Sequence, residues 1–278
     1  MSIFRKRSLL QSQKLLRHER VWREIKAIFA FAFFCGLLWG LSVLSCYSKL
    51  TVQTILVSGN SVVPTEDVLN ISRTALQGRN FLILSRTNIL LYPKQQIVDT
   101  LQYSYSWIET VSIDRVNLTT LAVKIKERVP VAVWCGVSQD KPTTCQLMDS
   151  QGYLFAKAPE FSGSVYLKLY GPLVSTSWRG AEFFSQGGIN HLFELTKALS
   201  TIGFKPVAVA ITSADTYDVF LNSGAYVSVK TTDPVQNIIS NIDLLLSQKM
   251  FMQSQTSNFS NLLYIDARFG NKLFYKFK

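Results

Sequence analysis

An uncharged stretch near the amino terminus constrains the fold of this 278-residue chain more than any other feature. Residues 27–48 form 22 consecutive positions without a charged side chain, and most of these positions are apolar. As a helix the stretch would run about 33 Å, whereas the hydrocarbon core of a bilayer is about 30 Å thick. The sequence therefore predicts one transmembrane helix over residues 27–48.

Two kinds of processing compete with a retained membrane anchor. A cleaved secretory signal has a shorter apolar region, of about 7 to 15 residues. The residues VLSC, which end at Cys46, loosely resemble a lipoprotein cleavage box, but Leu44 fits this box poorly. We therefore favour the retained anchor and interpret Cys46 as an apolar residue of the helix.

The charges on the two sides of this helix predict its orientation. Residues 1–26 hold eight basic and two acidic side chains, whereas Lys49 is the only basic residue from the helix to Arg73. Because the flank rich in Lys and Arg stays in the cytoplasm, we expect residues 1–26 inside and the later residues outside. More than half of the net charge of +11 lies in this basic arm. We therefore expect it to contact membrane lipid, and we predict no nucleic-acid binding.

The residues after the anchor predict a small α+β module. Val52, Ile55 and Val57 approximately alternate with other residues, and residues 121–126 alternate between apolar and basic or small side chains, as strands do. We expect two helices between these strands, with Pro93 near a helix start or a kink. The predicted elements are a strand at 52–57, a helix opening at Pro64, a helix over 86–102, and strands at 110–116 and 120–128.

The second half of the chain predicts a larger, mainly antiparallel β domain with two covering helices. One helix carries apolar residues from Leu192 to Ile202, and Gly203 ends it. The other has Asp233 as a candidate cap and Pro234 at its first position. Together with the module, this predicts the α+β class. The predicted strands are 129–135, 145–149, 152–156, 165–169, 207–212, 216–221, 225–230, 262–268 and 272–277.

Candidates for chemistry are few in this sequence. The chain has two histidines, His18 and His191, so we expect no multi-histidine metal centre. Asp149 and Asp266 could serve as paired carboxylates, but Asp149 precedes Ser-Gln-Gly, where an aspartate commonly bonds its own turn. No P-loop, dinucleotide fingerprint or CxxC motif is present. We therefore predict a protein that is not an enzyme and that holds no cofactor or metal.

Several blocks of sequence resemble, in order, the FtsQ/DivIB family of bacterial cell-division proteins. They are VSGN, GRNFLIL, WIETVSIDR, ERVPVAVW beginning at Glu127, DSQGYLF, and LLYIDARFGN beginning at Leu262. The resemblance implies a polypeptide-transport-associated (POTRA-type) domain at residues 50–127 and an extracytoplasmic β domain at residues 128–278. Ala267 and Phe269 stand where Leu and Tyr are common in the family, so the chain resembles a divergent member.

The resemblance also implies a function. Members are non-enzymatic scaffolds of the divisome, and they link early and late division proteins at the septum through extracytoplasmic contacts. The implied partners are the single-pass coiled-coil proteins FtsB and FtsL, and through them the FtsW/FtsI peptidoglycan synthase. The alternative is a membrane-anchored envelope enzyme or chaperone that uses the same modules.

The resemblance places the partner site at the last strand. In the family, the segment after the terminal Asp-x-Arg pattern forms an edge to which FtsB adds a strand, and such an edge offers free backbone groups. We expect Leu273, Tyr275 and Phe277 on one face and Phe274 and Lys276 on the other. The alternative is an ordinary edge strand that its lysines protect from aggregation. The candidate site residues are Arg268, Phe269, Lys272, Leu273, Phe274, Tyr275, Lys276 and Phe277.

Two cysteines lie outside the membrane segment. Cys135 and Cys145 flank a loop whose neighbouring strands can pair as a hairpin, which would bring the two side chains close enough to bridge. The sequence leaves two alternatives open, a disulfide bond in an oxidising compartment or two free buried thiols.

Overall fold

A computed structural model describes residues 3–80, 84–140, 143–160, 165–173, 186–248 and 259–278. The chain divides into two compact units. The first comprises Met1–Ser104 and Thr110–Lys126, and the second comprises Tyr105–Glu109 and Glu127–Lys278. The boundary between Lys126 and Glu127 lies one residue before the predicted boundary between residues 127 and 128. Tyr105–Glu109 belongs to the larger unit rather than to the small module.

The first unit begins with a long helix, α1, at Ile3–Ser45. Its part Trp22–Ser45 is long and apolar enough to cross a membrane. The helix ends at Ser45, so the last three residues of the predicted span 27–48 lie beyond it, and a short 3-10 helix follows at Ser48–Leu50. The Ser45 carbonyl, which a longer helix would bond internally, instead accepts a hydrogen bond from the Asn88 side chain at 3.0 Å.

The rest of the first unit has the predicted order of strand, helix, helix, strand and strand, with a short hairpin added. Its three-stranded sheet has the order β1-β5-β4, and β1 runs parallel to β5. Val68, Ile97 and Leu121 are among the buried side chains of its core. The elements are β1 Thr54–Ser58, α2 Thr65–Ala75, β2 Arg79–Asn80, β3 Leu84–Ser85, α3 Lys94–Ser104, β4 Ile108–Arg115 and β5 Thr120–Glu127.

The predicted helix over residues 86–102 is wrong in its first half. Helix α3 begins at Lys94, directly after Pro93, whose carbonyl accepts a hydrogen bond from the Ile97 N–H at 3.2 Å. Before it, the Asn88 side chain accepts a hydrogen bond from the Leu90 N–H at 2.9 Å and so forms a turn. An asparagine that bonds the backbone two residues on competes with helix, which explains the shorter α3.

The second unit is built on one nine-stranded sheet, and each predicted strand beyond residue 128 is confirmed within a few residues. The sheet order is β14-β13-β12-β11-β10-β9-β6-β7-β8. Five of the eight pairings are antiparallel, whereas β6–β9, β9–β10 and β12–β13 are parallel. The strands are β6 Ala132–Trp134, β7 Gln146–Met148, β8 Leu154–Lys157, β9 Leu167–Tyr170, β10 Pro206–Ile211, β11 Thr216–Leu221, β12 Tyr226–Lys230, β13 Leu262–Phe269 and β14 Lys272–Phe277.

Two helices contribute to the main core of this unit, α4 at Gln186–Thr201 and α5 at Val235–Leu246. Apolar residues of both helices, at the predicted helical spacing, pack with inward-facing residues of the sheet such as Val219 and Ile265. The prediction that Asp233 caps α5 is wrong. No side chain caps this helix, and the Asp233 carbonyl instead lies 2.7 Å from His191 Nε2.

Within the second unit, hydrogen bonds join the segment Tyr105–Glu109 to the residues that follow Glu127. The Arg128 N–H donates to the Trp107 carbonyl at 2.8 Å, and Ser106 Oγ donates to the Phe155 carbonyl at 2.5 Å. The Trp107 ring also packs edge-on against the Phe155 ring, at 4.9 Å between centroids. The segment therefore lies against strand β8, at one edge of the large sheet.

Candidate functional site

Strand β14 lies at the opposite edge of the nine-stranded sheet. It pairs with β13 in an antiparallel hairpin, with Tyr264 opposite Lys276 and Asp266 opposite Phe274. The hairpin turns at Gly270, whose φ of 65° is favourable for glycine. No described strand lies beyond β14, so among the described residues β14 is an edge strand of the sheet, and we call its outer side the open edge.

The side chains of β14 divide between attachment and exposure. Leu273 and Phe277 are partly buried and pack against the core, which holds the strand on the unit. Phe274 is 52% exposed, and its ring packs edge-on against the exposed ring of Phe269 at 5.2 Å between centroids. Tyr275 lies at the boundary of exposure, with its ring 5.8 Å from that of Phe277.

Arg268 makes a two-point ion pair within its own strand. Its Nη2 lies 2.6 Å from Asp266 Oδ2, and its Nε donates to Asp266 Oδ1 at 2.8 Å. These hydrogen bonds hold the pKa of Asp266 below its ordinary value, despite the opposing effect of burial. Arg268 therefore has a carboxylate partner before any other protein binds, and the pair fixes the direction of the guanidinium beside Phe269.

Two rows of side chains cross the sheet toward this edge, and neither row was predicted from the sequence. One row is polar, with Asp218 opposite Ser228 and Ser228 opposite Asp266. The other is aromatic, with the Tyr226 ring 5.8 Å from Phe220 and 5.7 Å from Tyr264. Alternation within each strand was visible in the sequence, but the strand order and register that align these residues were not.

The polar row contains a second carboxylate with the opposite pKa shift. Burial raises the pKa of Asp218, and a 2.5 Å hydrogen bond from the Ser228 hydroxyl partly offsets this effect. Asp218 and Asp266 therefore differ in how strongly the folded protein favours their charged forms.

The other predicted site, Cys135 and Cys145, is a disulfide bond in this structure. The bond closes the loop between β6 and β7, and Cys135 is buried. The partner-binding candidates and the disulfide lie on different strands of the sheet, β13–β14 and the β6–β7 region, so the structure does not bring them into one site.

The residues that could have carried catalysis have structural partners. Asp149 Oδ1 accepts from the Gln151 and Tyr153 N–H groups, as its turn position predicted, and Oδ2 pairs with Arg128. His191 Nδ1 lies 2.8 Å from the hydroxyl of buried Tyr217. Among the described residues no group of three or more His, Cys, Asp or Glu side chains could hold a metal ion.

An apolar helix, a small module of three strands and two helices, and a large sheet with an open edge define a membrane-anchored protein with two folded units. Residues 50–128 match the model of the POTRA domain, FtsQ-type, and no curated protein matches the chain. The protein therefore carries an FtsQ-type POTRA domain at these residues, and this match supports its resemblance to the FtsQ/DivIB family. This domain type associates it with cell division and belongs to a generally non-enzymatic family.

Proposed function

We propose that the protein is a non-enzymatic scaffold of the bacterial divisome that links early and late division proteins during septum formation. It lies in the cytoplasmic membrane, with residues 1–26 inside and the POTRA-type domain and the β domain outside, and it is concentrated at the septum. Its partners are FtsB-like and FtsL-like single-pass coiled-coil proteins and, indirectly, the FtsW/FtsI synthase. The FtsQ-type domain and the apolar helix support this proposal.

The open edge at β14 is the observation that carries the proposal. An edge strand presents one row of backbone N–H and C=O groups to any strand that arrives beside it, and this addition supplies affinity. Strand β14 is six residues long, enough to pair with a short segment of another protein.

The exposed aromatic side chains at this edge supply specificity in the proposed complex. Phe274 and Phe269 form an exposed aromatic pair, whereas the Tyr275 ring lies edge-on to Phe277 and is partly exposed. Aromatic residues are the commonest anchors of protein interfaces because they bury a large area with few rotatable bonds. Leu273 and Phe277 attach the strand to the core, so Phe274 and Tyr275 can be changed without removing that attachment.

A binding experiment with the full chain tests this site. Phe274→Lys and Tyr275→Lys should each weaken co-purification of the FtsB-like and FtsL-like partners, because loss of an aromatic anchor costs about 2 kcal/mol, or about 30-fold in affinity. Val137→Lys is the matched control. It changes an exposed apolar residue of the same unit, in the loop after β6, and should leave binding unchanged.

Normal co-purification by both β14 variants, with the second unit still folded, would show that the partners dock elsewhere. Deletion of residues 272–278 is a weaker test, since it also removes Leu273 and Phe277 from the core. The two β14 substitutions therefore come first.

Imaging separates this proposal from an envelope enzyme or chaperone built from the same modules. A fluorescent fusion of the scaffold should form a midcell band in dividing cells, and Phe274→Lys should reach midcell without retaining its partners there. Uniform envelope fluorescence of the unmodified fusion would favour the alternative.

A further inference from the structure

The end of helix α1 is fastened to the module that follows it. The Asn88 side chain donates a hydrogen bond to the Ser45 carbonyl at 3.0 Å, and the Ser85 N–H donates to Ser45 Oγ at 3.1 Å. Both bonds are buried, and Ser45 itself is buried although it ends an exposed helix. Loss of either bond would leave a buried polar group unsatisfied, so the joint resists opening.

The hydrogen bonds continue beyond this joint. The Ile89 N–H donates to the Leu50 carbonyl, and the Val52 N–H donates to the Thr87 carbonyl, each at 2.8 Å. These bonds place the turn before Pro93 directly beside the residues that leave the membrane helix.

The turn between β4 and β5 reaches the same end of the module. The N–H groups of Gln53 and Thr54 both donate to the Thr119 carbonyl, at 2.8 and 3.1 Å. Because Val52 bonds Thr87 and the next residue, Gln53, bonds Thr119, both turns lie beside the same short segment of the chain.

Both turns expose apolar side chains at this end of the module. Leu90 is 61% exposed and Leu118 is 58% exposed. Together with three further exposed residues they form what we call the juxtamembrane cluster, which comprises Tyr47, Leu90, Leu91, Val116 and Leu118.

The length of α1 places this cluster at the surface of the bilayer. From Ala27 to Ser45 the helix is about 28 Å long, close to the full hydrocarbon thickness of about 30 Å. Ser45 then lies at the boundary between acyl chains and headgroups. The two turns are hydrogen-bonded to Ser45 or to residues that follow it closely in the chain. They therefore lie near that boundary.

We propose that the juxtamembrane cluster inserts into the outer leaflet and forms a second lipid contact beside the transmembrane helix. The proposal rests on α1 as the membrane anchor. Lipid is the partner that we propose for the cluster, because the cluster lies next to the end of the helix that the bilayer would surround. Leu and Tyr side chains at this depth gain from leaving water. Exposed Lys49 and Arg115 lie beside the cluster and suit anionic headgroups.

Site-specific labelling of the full chain tests the contact. Leu90→Cys and Leu118→Cys are made separately with Cys35→Ser and Cys46→Ser, since Cys135 and Cys145 are bridged. Each variant carries an environment-sensitive dye in vesicles of phosphatidylethanolamine and phosphatidylglycerol, with or without brominated acyl chains. The emission of both dyes should move to shorter wavelength, and the brominated lipid should quench it.

Val62→Cys is the matched control. Val62 is 52% exposed and follows the far end of β1, which is about 13 Å from Thr54. Its dye should show the emission of an aqueous site and no quenching. Equal quenching at Val62 would indicate general adsorption and would overturn the specific contact.

A dye on native Cys35, within the apolar helix, separates this inference from the anchor on which it rests. Quenching at Cys35 together with aqueous emission at residues 90 and 118 would overturn the lipid contact and leave the anchor in place. Absence of quenching at Cys35 would overturn both.

Discussion

The two edges of the nine-stranded sheet carry the same side-chain type in opposite environments. At the β8 edge, Phe155 is 0% exposed, and residues 105–109 lie against it through Ser106 and Trp107. At the β14 edge, Phe274 is half exposed and packs against exposed Phe269. One edge is therefore covered by the protein's own chain, and the other faces outward.

This difference separates the edge that the chain itself covers from the edge that we propose as the partner site. An open edge promotes unwanted pairing, and proteins usually cover such edges or guard them with charged residues. Here β8 is covered, whereas β14 is left open but carries exposed Lys272 and Lys276. Lysines discourage self-association without blocking a partner that tolerates or complements their charge.

The largest expected effect comes from the covered edge. Phe155→Ala should destabilise the second unit by about 4 kcal/mol, because it removes a fully buried ring and leaves a cavity beside Trp107. Chemical unfolding in detergent, followed by Trp fluorescence, measures this loss. Trp107 and Trp134 both lie in the second unit and report on it.

Phe274→Ala is the matched substitution at the open edge. It should cost less than about 1 kcal/mol in stability, since the ring is already half exposed, yet it should weaken partner binding. Equal destabilisation by the two variants would contradict the distinction between a covered and an open edge.

The disulfide should matter for stability but not for the open edge. Removing the bond with Cys135→Ser and Cys145→Ser should destabilise the second unit by about 2 to 3 kcal/mol, because the bond reduces the number of conformations open to the unfolded chain. Partner binding at β14 should stay unchanged. Two alkylatable thiols in the native protein without reductant, detected by mass spectrometry, would show that the bond is absent.

The smallest effect concerns the two carboxylates near the open edge. The native pKa of Asp266 is lowered from 3.8, so its ion pair stabilises the fold above that value and is lost as the pH falls through the native pKa. Asp266→Asn should therefore lower the unfolding midpoint at neutral pH, by no more than about 1 kcal/mol in stability, and this difference should vanish in acid.

Asp218→Asn is the control with the opposite sign. Burial raises the native pKa of Asp218, so the folded protein favours its protonated form, and this stabilisation is lost as the pH rises through that pKa. The substitution should therefore not destabilise the protein at neutral pH. A loss there equal to that of Asp266→Asn would contradict the assigned shifts.

Local patterns predicted the elements of this fold well. Strands β11 and β13 follow from alternating apolar residues, and α5 follows from its apolar stripe, because each signal lies within one short segment. The helix over residues 86–102 was wrong in its first half because the Asn88 side chain forms a turn with the Leu90 N–H and also donates to the carbonyl of Ser45, a residue 43 positions away. No local pattern contains that partner.

The candidate edge was predicted from a family resemblance, but its surroundings were not. The ion pair of Arg268 with Asp266 forms between residues two positions apart on one strand, so it depends on local spacing alone. The aromatic row of Phe220, Tyr226 and Tyr264 depends on the pairing of three strands. Two of these strands, β12 and β13, are separated in the sequence by helix α5. Such alignments arise from tertiary packing, which a single sequence does not display.

The parallel pairing of β12 with β13 has a consequence for the timing of synthesis. Among the described strands β14 is the last in chain order, and its partner β13 joins the sheet only after α5 has been made. Strand β14 therefore becomes an edge only after all the earlier strands have been made. A chain interrupted before residue 272 would present β13 instead, without Phe274 and Tyr275, so we expect the proposed partner to bind only chains that have been translated beyond this residue.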